Sequence, residues 1–194
     1  KDFGYPLVIY KILRKKGRSW LSQNISLSIE PAEFPSVQAI PVSVRKSLPD
    51  TLAYVLHLNE DSIATGRWFQ EFLSISLPAN QLTPGLHDVK VLVFSPEDSA
   101  ILRQQFFIHG PGVQLLQNLP MIRQTQGWGV PQLGKSVENH TLTLDGKTYR
   151  FGIGAHAPSS LAFRLNGQYR TFHAVIGLDD ESACGDGATW IVLG

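Results

Sequence analysis

Six histidines, at positions 57, 87, 109, 140, 156 and 173, are the residues best able to move a proton or hold a metal, and they stand at no recognisable metal-ligand spacing. No HExxH, GxxxxGKS/T or GxSxG string occurs. Cys184 is the single cysteine, which excludes an internal disulfide, a CxxC redox pair and a cysteine-rich zinc site. A glycosidase would need two aligned carboxyl groups about 5–9.5 Å apart, and the acids here fall mostly in turns. Asn24 and Asn139 head Asn-x-Ser/Thr sequons, which matter where the source glycosylates exported proteins. These absences leave little catalytic chemistry in view, and the expectation is a protein that is not an enzyme.

The elements that position these residues read as strands. The chain has 194 residues, 43% hydrophobic and 17% charged, with a formal net charge of +1. That composition buries a core, excludes disorder and a multi-span membrane protein, and supplies no overall field for nucleic acid. The length suits two small domains. Apolar alternation at period two marks Asn24–Glu30 and Val37–Val44, and further runs follow at Leu52–Leu58, Phe69–Leu77, His87–Phe94 and Ile101–His109. No 3.6-residue period persists long enough to make an ordinary helix. Gly110-Pro111-Gly112 interrupts both helix and ladder and marks a boundary, with 6 of the 17 glycines before position 113 and 11 after it. The predicted organisation is a β-sandwich over 1–110, a linker over 111–118 with a short cover strand or one helical turn near 113–120, and a second β unit over 119–194. At the start, Tyr5–Tyr10 is a strand candidate too short to span a membrane, followed by Lys11, Arg14, Lys15, Lys16 and Arg18 around Gly17, read as a solvated hairpin turn. Together they fit a mature fragment beginning just past a removed segment.

Two resemblances sharpen this reading. Tyr54–Gly66, with a turn at Glu60-Asp61, then Phe72–Pro78, then Pro84-Gly85 launching a strand on which Val89, Val91 and Val93 share a face, resembles the immunoglobulin-like modules found beside bacterial extracellular enzymes. Further on stand Gly127-Trp128-Gly129, Leu144-Asp-Gly-Lys-Thr-Tyr149, Gly152-Ile-Gly-Ala-His-Ala-Pro-Ser159, the Tyr169-x-x-Phe172 strand and Gly177-Leu-Asp-Asp180. Those five elements, in that order, resemble the NPCBM family of carbohydrate-binding modules attached to secreted glycoside hydrolases. The resemblance implies an all-β, jelly-roll-like module that binds a glycan without cleaving it, in an extracytoplasmic setting: secreted, periplasmic or at the cell surface.

Under that resemblance Trp128, His156, Asp179 and Asp180 are the candidate carbohydrate-binding residues. Sugar rings offer apolar C–H faces to aromatic side chains, and their hydroxyls want paired donors and acceptors. Each residue also has a structural reading. Trp128 would plug a sandwich edge, His156 would fix a turn through backbone bonds, and Asp179-Asp180-Glu181 would cap a turn through their own N–H groups. Asp179 and Asp180 equally suit calcium, a hard cation. Arg164, Arg170 and His173 read as a solvated face.

The resemblance further implies that the family's domain continues past Ala188–Leu193, so these residues form its N-terminal part and leave an apolar strand to be covered by continuing chain or by another chain. The alternative to a glycan-binding accessory region is a structural or interaction subunit of a larger extracytoplasmic assembly, with other protein chains as its partners. A hydrolase would need its catalytic domain elsewhere.

Overall fold

The computed structural model describes residues 19–182 and 187–193, so the strand candidate Tyr5–Tyr10, the basic run after it and Cys184 lie outside the described residues. A short helix, α1 (Trp20–Asn24), opens the described chain, capped by the Ser19 hydroxyl accepting from the Ser22 N–H. Eight strands follow: β1 (Ile25–Ser28), β2 (Glu33–Phe34), β3 (Ile40–Lys46), β4 (Leu52–Leu58), β5 (Asp61–Trp68), β6 (Phe72–Leu77), β7 (Gly85–Phe94) and β8 (Ser99–Ile108). They form a three-stranded sheet in the order β1-β3-β6 and a five-stranded sheet in the order β2-β8-β7-β4-β5.

Alternation decides what each sheet buries. Ile40, Val42 and Val44 point in from one sheet, and Leu56, Leu58, Val89, Val91, Val93, Phe106 and Ile108 from the other, meeting in a single core with Ile25, Leu52 and Leu77. This is a β-sandwich, as the period-two pattern predicts. The β4–β5 connection turns at Asn59-Glu60, both at positive φ (49° and 77°), one residue before the expected Glu60-Asp61 turn. An asparagine tolerates that conformation, which suits a two-residue hairpin loop. The Asn59 side chain then bridges the tip, donating to His87 Nδ1 at 2.9 Å and accepting from the Asp88 N–H at 2.9 Å. The buried His87 also bonds the Thr83 carbonyl and stacks on Phe106, so it is a satisfied core histidine.

At the expected boundary, a Cβ on Gly110 would stand 2.4 Å from Pro84, so only glycine lets the two segments pass. One turn of 3-10 helix over Leu116–Asn118 follows, in place of a cover strand. Six more strands pair as three short ladders: β9 (Met121–Gln126) with β14 (Ser159–Phe163), β10 (Gln132–Leu133) with β13 (Ile153–Gly154), and β11 (Leu142–Leu144) with β12 (Lys147–Tyr149). No ladder joins them to the sandwich sheets among the described residues.

Instead, this second segment leans on the outer face of β8. Phe107 is only 2% exposed yet lies outside the sandwich core. Its ring meets Phe151 edge-on at 6.4 Å. Beside it the Arg150 N–H donates to Gln105 Oε1, and the Arg150 guanidinium donates to the Ile29 carbonyl at 3.0 Å and to both Glu30 oxygens at 2.9 and 3.1 Å. The Gly152 N–H donates to Gln117 Oε1 at 2.7 Å.

No apolar side chain after Ile108 is fully buried among the described residues. The strands expected at Tyr169–Phe172 and Ala188–Leu193 are absent, because neither segment has a ladder partner among the described residues and alternation alone makes no sheet. Phe172, Val175, Ile176 and Trp190 to Leu193 are accordingly exposed, Leu193 at 88%.

Candidate functional site

The site begins where the β9–β14 ladder ends. Gln126 pairs with Ser159, and the Gly127 N–H continues the pairing to the Pro158 carbonyl at 2.9 Å. A Cβ on Gly127 would sit 3.1 Å from the Ala157 carbonyl, so glycine lets the two backbones close up. Gly129 then takes a φ of +66°. Between them Trp128 is lifted onto the surface, 55% exposed, rather than plugging an edge.

The other wall is the segment after β13. It carries His156 so that the imidazole meets the Trp128 indole with ring centroids 5.9 Å apart and planes inclined at 61°. His156 is exposed, and neither ring nitrogen has a hydrogen-bond partner among the described residues. The histidine is thus not fixed by backbone bonds; it is free to donate or accept outward. A shallow cleft of about 360 Å³ adjoins this corner, lined by Thr125, Gln126, Gly127, Pro158, Ser159 and Ser160. Together these supply an apolar ring face, an imidazole and the hydroxyls of Thr125, Ser159 and Ser160, the mixture that a sugar's C–H face and hydroxyls require.

Asp179 and Asp180 are placed elsewhere, as latches on the β11–β12 hairpin. That hairpin turns at Asp145-Gly146, both at positive φ (50° and 71°), and leaves its N–H groups pointing outward. Asp180 accepts from the Asp145 N–H at 2.8 Å and from the Gly146 N–H at 2.9 Å. Asp179 accepts from the Thr143 N–H and hydroxyl at 3.0 and 3.1 Å and from the Glu181 N–H at 3.1 Å. The Asp180 N–H returns a bond to the Thr143 carbonyl. All four carboxylate oxygens are therefore engaged, and a sugar hydroxyl or a calcium ion would have to share them.

A neighbouring group had no signal in the sequence. Glu138, His140 and Glu181, all exposed, bring possible metal-ligand atoms within 4.8 Å of one another, with His140 Nδ1 2.7 Å from Glu181 Oε2. Only the fold unites Glu181 with residues some forty positions earlier. Arg164, Arg170 and His173 are exposed, as a solvated face should be.

Residues 112–194 match the NPCBM/NEW2 domain, a carbohydrate-binding module family. A protein of Renibacterium salmoninarum, named as a candidate endo-alpha-N-acetylgalactosaminidase, is 41% identical over 71 residues, which are 37% of this chain and 4% of that protein. Among solved structures, the fibronectin(III)-like modules of Clostridium thermocellum CbhA are 10% identical, covering 44% of this chain and 99% of that one at a TM-score of 0.31. The M60 catalytic domain with the CBM51-1 and CBM51-2 domains from Clostridium perfringens ZmpB is 13% identical, covering 82% of this chain and 23% of that one at a TM-score of 0.30. Among the described residues, no helix is long and apolar enough to cross a membrane.

Proposed function

With an NPCBM/NEW2 domain at residues 112–194, we propose that this chain is a non-catalytic glycan-binding region of an extracytoplasmic protein and that the sugar seats in the Trp128–His156 corner. The observation that carries the reading is the exposed indole set at 61° to an imidazole whose nitrogens have no partner among the described residues, beside a cleft bordered by Thr125, Ser159 and Ser160. The indole takes the apolar face of a ring, while His156 and the serines take its hydroxyls. The relative's name points to N-acetylgalactosamine as the first sugar to try. Calorimetric titration of N-acetylgalactosamine and galactose into the protein and into Trp128→Ala tests it, run with calcium and with chelator. Loss of an aromatic ring contact should weaken binding at least about tenfold, since each decade corresponds to ~1.4 kcal/mol. Thermal unfolding should stay unchanged, because the indole is exposed. Equal affinity in both proteins, or no heat with either sugar and none on a wider glycan array, refutes the reading.

A second reading, a scaffold without sugar binding, draws on the exposed apolar side chains of Phe172, Val175, Ile176 and Trp190 to Leu193. It predicts self-association or a protein partner together with a blank array.

A further inference from the structure

Trp128 projects from a turn flanked by two glycines, and its one aromatic neighbour among the described residues, His156, is itself exposed. Such a ring would sample many angles unless something held its backbone. Gln126 does so: its Nε2 donates to the Trp128 carbonyl at 2.6 Å. Gln126 is also the last residue of β9, with its own backbone fixed opposite Ser159. The bond therefore ties the turn to the end of a ladder.

The rest of that amide is informative. Gln126 Oε1 is buried and has no hydrogen-bond partner among the described residues. A buried, unpaired acceptor is costly, and an apolar side chain of similar length would fill the space without that cost. The amide's contribution therefore lies in the single bond it makes. Reversing the amide would set its oxygen against the Trp128 carbonyl, acceptor to acceptor, so the bond also fixes the amide's sense.

We propose that Gln126 is the positioning residue of the sugar site, clamping the Trp128 carbonyl so that the indole is held at its working angle before the sugar arrives. The inference rests on the glycan reading of the Trp128–His156 corner. Preorganisation of this kind raises affinity by lowering the ordering cost of binding, without touching the ligand.

Gln126→Glu and Gln126→Leu separate the clamp from a merely structural role. The glutamate is nearly isosteric, but ionised it places an oxygen against the carbonyl. Protonated, it donates an O–H and restores the bond. N-acetylgalactosamine affinity is measured at pH 7 and at about pH 4.5, close to the ordinary glutamate pKa of about 4.3. Each value is divided by that of the unsubstituted protein at the same pH, which removes every pH effect the two proteins share. The Trp128 indole N–H resonance, assigned by its loss in Trp128→Ala, is followed in parallel.

Both variants should bind about tenfold more weakly at pH 7 and show a shifted or broadened indole resonance, with the core unfolding as before. The glutamate variant should recover on acidification and the leucine variant should not. Wild-type affinity and an unmoved resonance in either variant overturn the clamp, as does an identical pH response in the two. If the unsubstituted protein fails to bind the sugar, the glycan reading falls, and the acid-reversible indole resonance of Gln126→Glu alone decides the clamp.

Discussion

Phe107→Ala tests whether the second segment is held by the outer face of β8. The ring is 2% exposed, contacts Phe151 and His109 edge-on at 6.4 and 5.1 Å, and contributes nothing to the sandwich core. Removing a buried phenylalanine costs ~1.5–3 kcal/mol in transfer alone, and ~3–5 kcal/mol where the cavity cannot close. One wall here is a docked segment that can move, so the expected loss is about 2–4 kcal/mol. In native-state hydrogen exchange this corresponds to a roughly 30- to 1,000-fold loss of protection, confined to the docked segment. The amides of Arg150 and Gly152, which bond Gln105 and Gln117, should lose it. The amides of β3 and β4, whose side chains pack on the inner face, should keep theirs. Urea unfolding followed by the buried Trp68 should move little. A loss below about 1 kcal/mol at Arg150, or equal loss in β3 and β4, would refute the docking argument.

Two further perturbations follow from named contacts. Glu60 is held below its ordinary carboxylate pKa, first by its hydrogen bond from Lys90 and then by the Lys90 charge, with smaller help from Arg103 and Lys147. Its folded value lies below its unfolded one, so its contribution is present above the ordinary carboxylate range and lost as pH falls through the folded value. Glu60→Gln should flatten the acid limb of a stability-against-pH curve measured at low salt, and the difference should shrink as salt is added because the carboxylate is exposed. Asp180→Ala removes both acceptors of the Asp145-Gly146 turn and should cost ~1 kcal/mol, read as faster exchange at those two amides. The Trp128–His156 ring contact should be unmoved.

The sandwich was legible because inward positions recur at period two and, Lys46 and His87 apart, carry apolar side chains on β3 and β7. Leu52–Leu58 and the Val89, Val91, Val93 face appear as read. β5 was recognisable only as the return arm of the turn read at Glu60-Asp61. It is a sheet edge that buries just Trp68, so its Asp, Ser, Thr and Arg positions mask the alternation. The candidate site divides in the same way. Trp128 and His156 were flagged by residue type under the NPCBM resemblance, and the fold sets them side by side. Gln126 carried no signal, since an amide two residues before a tryptophan is unremarkable until a turn brings its Nε2 to the carbonyl. For Asp179 and Asp180, residue type suited turn caps, sugar contacts and calcium alike. The geometry that distinguishes them is the outward-pointing N–H groups of a hairpin more than thirty residues earlier.

The docking surface lies between these extremes. Successive residues of a strand face opposite sides, so Phe106 and Phe107 cannot both enter one core. Two adjacent phenylalanines at the end of an apolar strand therefore require either an exposed ring or a cover on the outer face. The structure takes the second course: Gln105, Phe106, Phe107 and Ile108 are buried in succession, the pattern of a strand covered on both sides. The cover is Arg150-Phe151, at the end of the β11–β12 hairpin, and the guanidinium that reaches Ile29 and Glu30 seals its rim. A strand written for two faces thus makes the sandwich the support of the segment that carries the Trp128–His156 corner. That is why a substitution on β8 is expected to loosen the segment bearing a site in which β8 contributes no side chain.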